Sequence, residues 1–246
     1  MREERSTVAQ TVIFVISIAL LISGIGLNIG GLISPSWQVV DIREFRAIHH
    51  HGLWQDCSRP NRHSSLYPSL YDDNIPLSCT YKFDYSASEV IGENLRDIDN
   101  SAAGESEHHQ FFGWQKVVLI SAGISLTAGI LGACTGLCAS CYSACAILYD
   151  ILVFVAVIFA VAAAGIFFFA AHRVDSRFVQ GLVGTYEQEI GFAFYLYGSG
   201  TILLLFSFIL SIVATYRIYK NSNNRLNIPL RELAPLYNSH VRDTTI

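Results

Sequence analysis

Residues 151–169 read ILVFVAVIFAVAAAGIFFF, and this stretch decides the fold class. A helix buried in a soluble core keeps a polar face opposite its apolar stripe. This one is apolar all round, and a run of about 18 or more such residues signals a bilayer span. Outward from it the charge-free block continues to Ala171, and three similar blocks occupy Ser6–Val40, Val117–Tyr149 and Ile190–Tyr216. Each is long enough for a spanning helix, which needs about 20 residues. The two blocks flanking Asp150 are together too long for one crossing, so they read as two spans. The turn between them is expected in Cys138–Cys145, where Ser140, Tyr142 and Ser143 interrupt the apolar run. That places Asp150 in the first turn of the third helix, where a carboxylate suits the positive end of the helix dipole.

The chain of 246 residues, 52% hydrophobic and 15% charged, is thus expected to be a mainly α membrane protein with four transmembrane helices. The spans fall at 11–33, 115–137, 146–171 and 192–216. They are separated by a first loop at 34–114, a turn at 138–145 and a second loop at 172–191, with an N-terminal segment 1–10 and a tail 217–246. A cleaved signal peptide fits the first block poorly, because apolar signal cores run only about 7–15 residues. Arg2 and Arg5 before span one, and Arg217, Lys220 and Arg225 after span four, put both termini in the cytosol by the positive-inside rule. Arg173 and Arg177 in the second loop argue the other way, accompanied by Asp175, Glu187 and Glu189.

Cys57 and Cys79 lie in the polar first loop, where an even pair in an oxidising compartment reads as a disulfide rather than two exposed thiols. Closing such a loop contributes about 3 kcal/mol in the chain-entropy account. Cys134, Cys138, Cys141 and Cys145 recur at helical spacing at the other end of span two. Two readings stay open for Cys138, Cys141 and Cys145: small polarizable packing residues, or membrane-adjacent acceptors of palmitate. Small residues spaced by four, Gly26 and Gly30, Gly132 and Gly136, Ala160 and Ala164, are read as bundle packing within one chain rather than a dimer face.

Catalysis finds no support: there is no G-x-S-x-G elbow, H-E-x-x-H helix or phosphate loop, and no enzyme activity, cofactor or nucleic-acid partner is expected. His49, His50 and His51, with His63, His108 and His109, raise a zinc site, but three adjacent histidines do not readily share one tetrahedral ion. They read as a solvated surface, and no metal is expected. The tail is polar, contains Pro229 and Pro235, and reads as disordered. It ends Asp243-Thr244-Thr245-Ile246; the hydroxyl of Thr244 and the apolar carboxy-terminal Ile246 fit a PDZ ligand that adds a strand to its receptor.

The first loop opens Pro35-Ser36-Trp37-Gln38-Val39 and continues His51-Gly52-Leu53-Trp54-Gln55-Asp56-Cys57. A tryptophan just after span one, then Gly-Leu-Trp, then two cysteines, resembles the claudin-like superfamily: claudins, peripheral myelin and epithelial membrane proteins, and the gamma subunits of calcium channels and AMPA receptors. The Pro-x-Trp-x-Val form is similar to claudins. Phe178, Leu182, Val183, Tyr186, Gly191, Ala193 and Tyr195 extend the resemblance through the second loop. The longer first loop, and the separation of Cys57 from Cys79, are closer to the channel subunits.

The resemblance implies a left-handed four-helix bundle topped by a small antiparallel β-sheet from both loops. Trp37–Ile42 and Thr80–Tyr85 have strand composition, Ser58–Pro76 reads as irregular, and Glu89–Gly104 as a short helix or loop. It also implies a plasma-membrane protein of cell–cell junctions that self-associates and regulates paracellular barrier or permeability and adhesion. The alternatives are an auxiliary subunit bound to a channel or receptor partner, and a myelin-like membrane-organising role. Between Cys79 and Trp114 seven carboxylates face two cations, a net of −5. In a claudin this part of the loop helps line the paracellular path, so a cation preference is expected, with Asp84 and Glu89 as its candidate determinants.

Overall fold

The computed structural model describes residues 2–42, 47–59, 78–83, 111–139, 143–173, 178–180 and 185–243. Four helices carry the fold: α1 (Arg2–Ile33), α2 (Gly113–Cys138), α3 (Ser143–Ala171) and α4 (Phe192–Asp243). Within them Gln10–Ile33, Gly113–Cys138, Ala144–Ala171 and Phe192–Lys220 are long and apolar enough to cross a bilayer. Large apolar side chains such as Val15, Ile22, Ile120, Leu131, Phe154 and Ile209 point outward and stay exposed. In lipid that costs nothing, since the acyl chains around them are as apolar as the side chains.

What the helices bury follows one rule in all four. On α1 the buried positions Gln10, Phe14, Ser17, Leu21, Gly24, Asn28 and Gly31 are spaced alternately four and three apart, and on α4 Ala193, Tyr197, Gly200, Leu204, Ser207, Ser211 and Ala214 repeat the pattern. On α2 it is Gln115, Val118, Ala122, Ser125, Gly129, Gly132 and Gly136; on α3 it is Ala146, Tyr149, Val153, Ala156, Ala160, Ala163, Phe167 and Ala170. A mean repeat of 3.5 residues is the seam that lets helices wind left-handedly around each other.

Lipid gives helices no hydrophobic reason to associate, so close approach and interhelical hydrogen bonds must do it. A Cβ built on Gly24 would come within 2.9 Å of the Gly200 carbonyl oxygen, and one on Gly200 would overlap the Asn28 side chain. Ser17 and Ser207 each donate to the other's carbonyl oxygen at 2.8 Å, and the Tyr149 hydroxyl lies 2.9 Å from Ser17 Oγ and 3.3 Å from Ser207 Oγ. This ties α1, α3 and α4 together, while Ser125 Oγ donates to the Ala156 carbonyl at 2.8 Å and ties α2 to α3.

Among the described residues seven strands, β1 (Gln38–Ile42), β2 (Ala47–His51), β3 (Gln55–Arg59), β4 (Ser78–Tyr81), β5 (Phe178–Gln180), β6 (Thr185–Glu187) and β7 (Glu189–Ile190), lie in the two loops. The main sheet is antiparallel in order β4-β3-β2-β1-β7, so β7 of the second loop pairs with β1 of the first; β5 and β6 form a separate hairpin. The sheet from both loops was expected, but β2 and β3 were not: their histidines and Ser58 read as surface and irregular chain. Cross-strand pairing overrides that composition, because sheet propensity depends on neighbours more than on residue type.

Three other expectations differ. Helix α3 begins at Ser143, inside the expected turn, so Asp150 lies about two turns in rather than in the first turn. Its carboxyl group faces the Ser211 and Thr215 hydroxyls of α4, and a helix-dipole role does not apply. Gly26 meets no neighbour within 4 Å, while Gly30 meets the Leu196 side chain of α4, so the two do not act as a packing pair on α1. Finally, the backbone is helical to Asp243 where a disordered tail was expected. A helix already nucleated in the span propagates without the nucleation cost that burdens an isolated segment.

Candidate functional site

The last four carbonyls of a helix have no partner within it, and at the end of α1 the sheet supplies them. Trp37 Nε1 donates to Gly31 O at 2.8 Å, Trp54 Nε1 to Leu32 O at 2.7 Å and Gln55 Nε2 to Ile33 O at 3.1 Å, while the Ser34 amide reaches Gly30 O at 3.2 Å. The sheet therefore sits directly on the end of the first span, without an intervening linker. Trp37 is fully buried among Phe167, Phe194 and Tyr197, its ring centroid 4.7 Å from that of Phe167, and plugs the end of the bundle.

Each residue of the Gly-Leu-Trp run has a distinct task. Gly52 makes the β2–β3 turn, its amide 2.9 Å from Gln55 O, and a Cβ there would press on Gln55 O and Pro35 Cα. Leu53 is fully buried beside Trp37, and Trp54 caps. Gly191 does for the second loop what Gly52 does for the first. Its amide donates to Trp37 O at 2.8 Å, and a Cβ would collide with the Ser36 carbonyl.

Cys57 and Cys79 are directly paired on β3 and β4 and form the expected disulfide. Paired residues share a sheet face, so Gln38, His51, Asp56 and Thr80 form one row across four strands. Lys82, two residues beyond Thr80, returns to that face, where its Nζ lies 3.3 Å from Asp56 Oδ1; His51 Nδ1 lies 3.3 Å from the same oxygen. Burial pushes the Lys82 ammonium below its ordinary pKa, and the Asp56 carboxylate partly restores it. In sequence Asp56 reads only as part of the family stretch and is not paired with Lys82, although the alternation of strand faces places them together once β3 and β4 are known.

The histidines divide by the same alternation. His49 and His51 stack on one face with ring centroids 6.3 Å apart, and His50 turns to the other, Nδ1 3.1 Å from Ser36 Oγ. Among the described residues no group of three His, Cys, Asp or Glu is arranged for a metal. His63, His108, His109, Asp84, Glu89, Cys141, Thr244 and Ile246 lie outside the described residues. Cys138 is exposed at the last residue of α2, with Cys134 exposed one turn earlier, whereas Cys145 is half-buried against the core.

A family model described as Clc-like matches residues 10–223, all four spans and both loops. The chain belongs to the Clc-like family. This agrees with the claudin-like superfamily expected from Trp37, Gly52, Leu53, Trp54 and the two cysteines. Two Caenorhabditis elegans proteins are similar to this Clc-like chain. Clc-like protein 2 is 25% identical over 225 residues, which cover 89% of this chain and 81% of the relative. Clc-like protein 5 is 25% identical over 223 residues, covering 85% and 73%. In this Clc-like multi-pass membrane protein the tryptophan motif seats a disulfide-bonded sheet on the span ends.

Proposed function

We propose that this Clc-like chain acts in the plasma membrane at cell–cell junctions, with both termini cytosolic, where it regulates paracellular barrier or permeability and adhesion. The observation that carries the reading is the seat of the sheet. Trp37, Trp54 and Gln55 fix it to the last turn of α1, and β7 couples the second loop to it. A recognition surface held at fixed height and orientation loses little freedom on assembling side by side or across a gap. The acidic segment after Cys79, with Asp84 and Glu89, would bias such a path toward cations. Palmitate on Cys138 or Cys141, and a PDZ scaffold on Thr244 and Ile246, would localise the chain from the cytosolic side.

A tagged chain expressed in an epithelial layer tests this: continuous belts at cell contacts support the reading, and exclusion from contacts overturns it. With belts present, Asp84→Lys and Glu89→Lys should lower the sodium-to-chloride permeability ratio. The alternative, an auxiliary subunit of a channel or receptor, draws on the 22-residue separation of Cys57 and Cys79, and it calls for puncta that coincide with a pore-forming partner.

A further inference from the structure

We propose that the β4 edge of the sheet lies on the lipid surface and anchors the sheet to the adjacent leaflet at a second point, beside the α1 seat. Tyr81, the last residue of β4, is 52% exposed and stacks on Trp54 at 5.6 Å between ring centroids. Phe83 is 54% exposed and packs edge-on against Phe111 at 4.9 Å. Phe112 stacks on Trp114, and Lys116 Nζ stands 5.1 Å from the Phe111 ring centroid. These three ring pairs make up an aromatic ledge at the span ends, which fix its height: Trp54 is bonded to Leu32 at the end of α1, and Phe111, Phe112 and Trp114 bracket the start of α2 at Gly113.

The occupant is set by position and chemistry. Directly beyond Lys116 on α2, Val117 and Ile120 are exposed members of the lipid-facing surface, so the ledge continues that surface rather than starting a new one. Aromatic rings concentrate at the membrane–water boundary, and an apolar face bearing a cation at its border matches acyl chains below a phosphate layer. A soluble protein partner would instead have to displace lipid from a site only one helical turn from the hydrocarbon.

The test places a tryptophan on the ledge without removing its aromatic character. Phe83→Trp, reconstituted in phosphatidylcholine nanodiscs, adds emission to that of wild type. Val117→Trp serves as the lipid-exposed reference and Asp41→Trp, on an exposed position of β1, as the aqueous one. The expected result is blue-shifted added emission, quenched by lipids brominated near the headgroup to an extent comparable with Val117→Trp. Water-like emission with quenching no greater than for Asp41→Trp overturns the proposal. Blue-shifted emission untouched by brominated lipid also overturns it, because protein rather than lipid then covers the ledge.

Discussion

Lys82 holds its ammonium 3.3 Å from the Asp56 carboxylate on a buried face of the sheet, with their side chains 1% and 11% exposed. Burial lowers the Lys82 pKa from 10.5 in spite of that carboxylate, so between the lowered folded value and 10.5 the unfolded chain binds more protons than the folded one. Stability then rises with pH through that window. Thermal unfolding of the purified protein should show this rise, and Lys82→Met should flatten it. An equal slope in both proteins would contradict the assignment. Asp56→Asn, which leaves a buried cation without its counter-charge, is expected to destabilise more than Lys82→Met; removing one partner of a buried pair costs about 3–5 kcal/mol at full burial.

Trp54→Phe keeps an aromatic ring over Tyr81 but removes the donor to Leu32 O. A buried carbonyl left without a partner costs about 1–3 kcal/mol. Trp37→Phe removes the corresponding donor to Gly31 O and also opens space among Phe167, Phe194 and Tyr197, so its loss should be the larger. Thermal unfolding read by Cys57–Cys79 protection from reductant measures both. If Trp54→Phe is as stable as wild type, the indole hydrogen bond is not what seats the sheet.

How far the fold could be read in advance depends on the kind of signal. The four spans stand out because charge is excluded from the hydrocarbon, and the disulfide because two cysteines share a polar loop. The packing faces were written in the sequence too, but in a different period. Gly26 and Gly30 satisfy a four-residue small-residue motif, yet Gly26 points away from the bundle and Gly30 meets only the Leu196 side chain, whereas Gly24, Asn28 and Gly31 belong to a 3.5-residue seam that pairs with Tyr197, Gly200 and Leu204. Polar Ser17, Asn28 and Ser207 conceal that seam from any search for apolar stripes. Lys82 and Asp56 were illegible for another reason: their meeting depends on the strand register, which pairs Asp56 with Thr80, and no local pattern specifies a register between segments so far apart in the chain.

The glycine seam can be separated from the motif that imitates it. Gly200→Leu would force a side chain into Asn28 and the Gly24 carbonyl, and Gly24→Leu into Gly200 O and Leu204. Overpacking costs about 1–3 kcal/mol or more where backbone is the obstacle. Gly26→Leu meets nothing within 4 Å and should leave stability unchanged or slightly raised, since leucine favours helix over glycine by roughly 0.5–1 kcal/mol. Thermal unfolding in one detergent orders the three variants; a destabilised Gly26→Leu with a tolerated Gly200→Leu would mean that the bundle is assembled on the other face.

The free cysteines give the last prediction, because their surroundings divide a group whose members look alike in sequence. An acyl chain on a cysteine must pass into lipid from the helix surface, so the thiol has to face outward at the membrane boundary. Cys138 meets both conditions: it is exposed and it ends α2. Cys145 also lies at a span end, two residues into α3, but it fails the first condition, half-buried and packed against the core that includes Tyr149 and Val153. Acylation transfers the acyl group from a coenzyme A thioester to the cysteine sulfur, with release of the coenzyme thiol, and is reversed by hydroxylamine. Acyl-biotin exchange on the chain from cultured cells should therefore give a signal that falls on Cys138→Ser and is unchanged on Cys145→Ser. A signal lost on Cys145→Ser but retained on Cys138→Ser would reverse the assignment, and the absence of any hydroxylamine-dependent signal in wild type would leave packing as the role of these thiols.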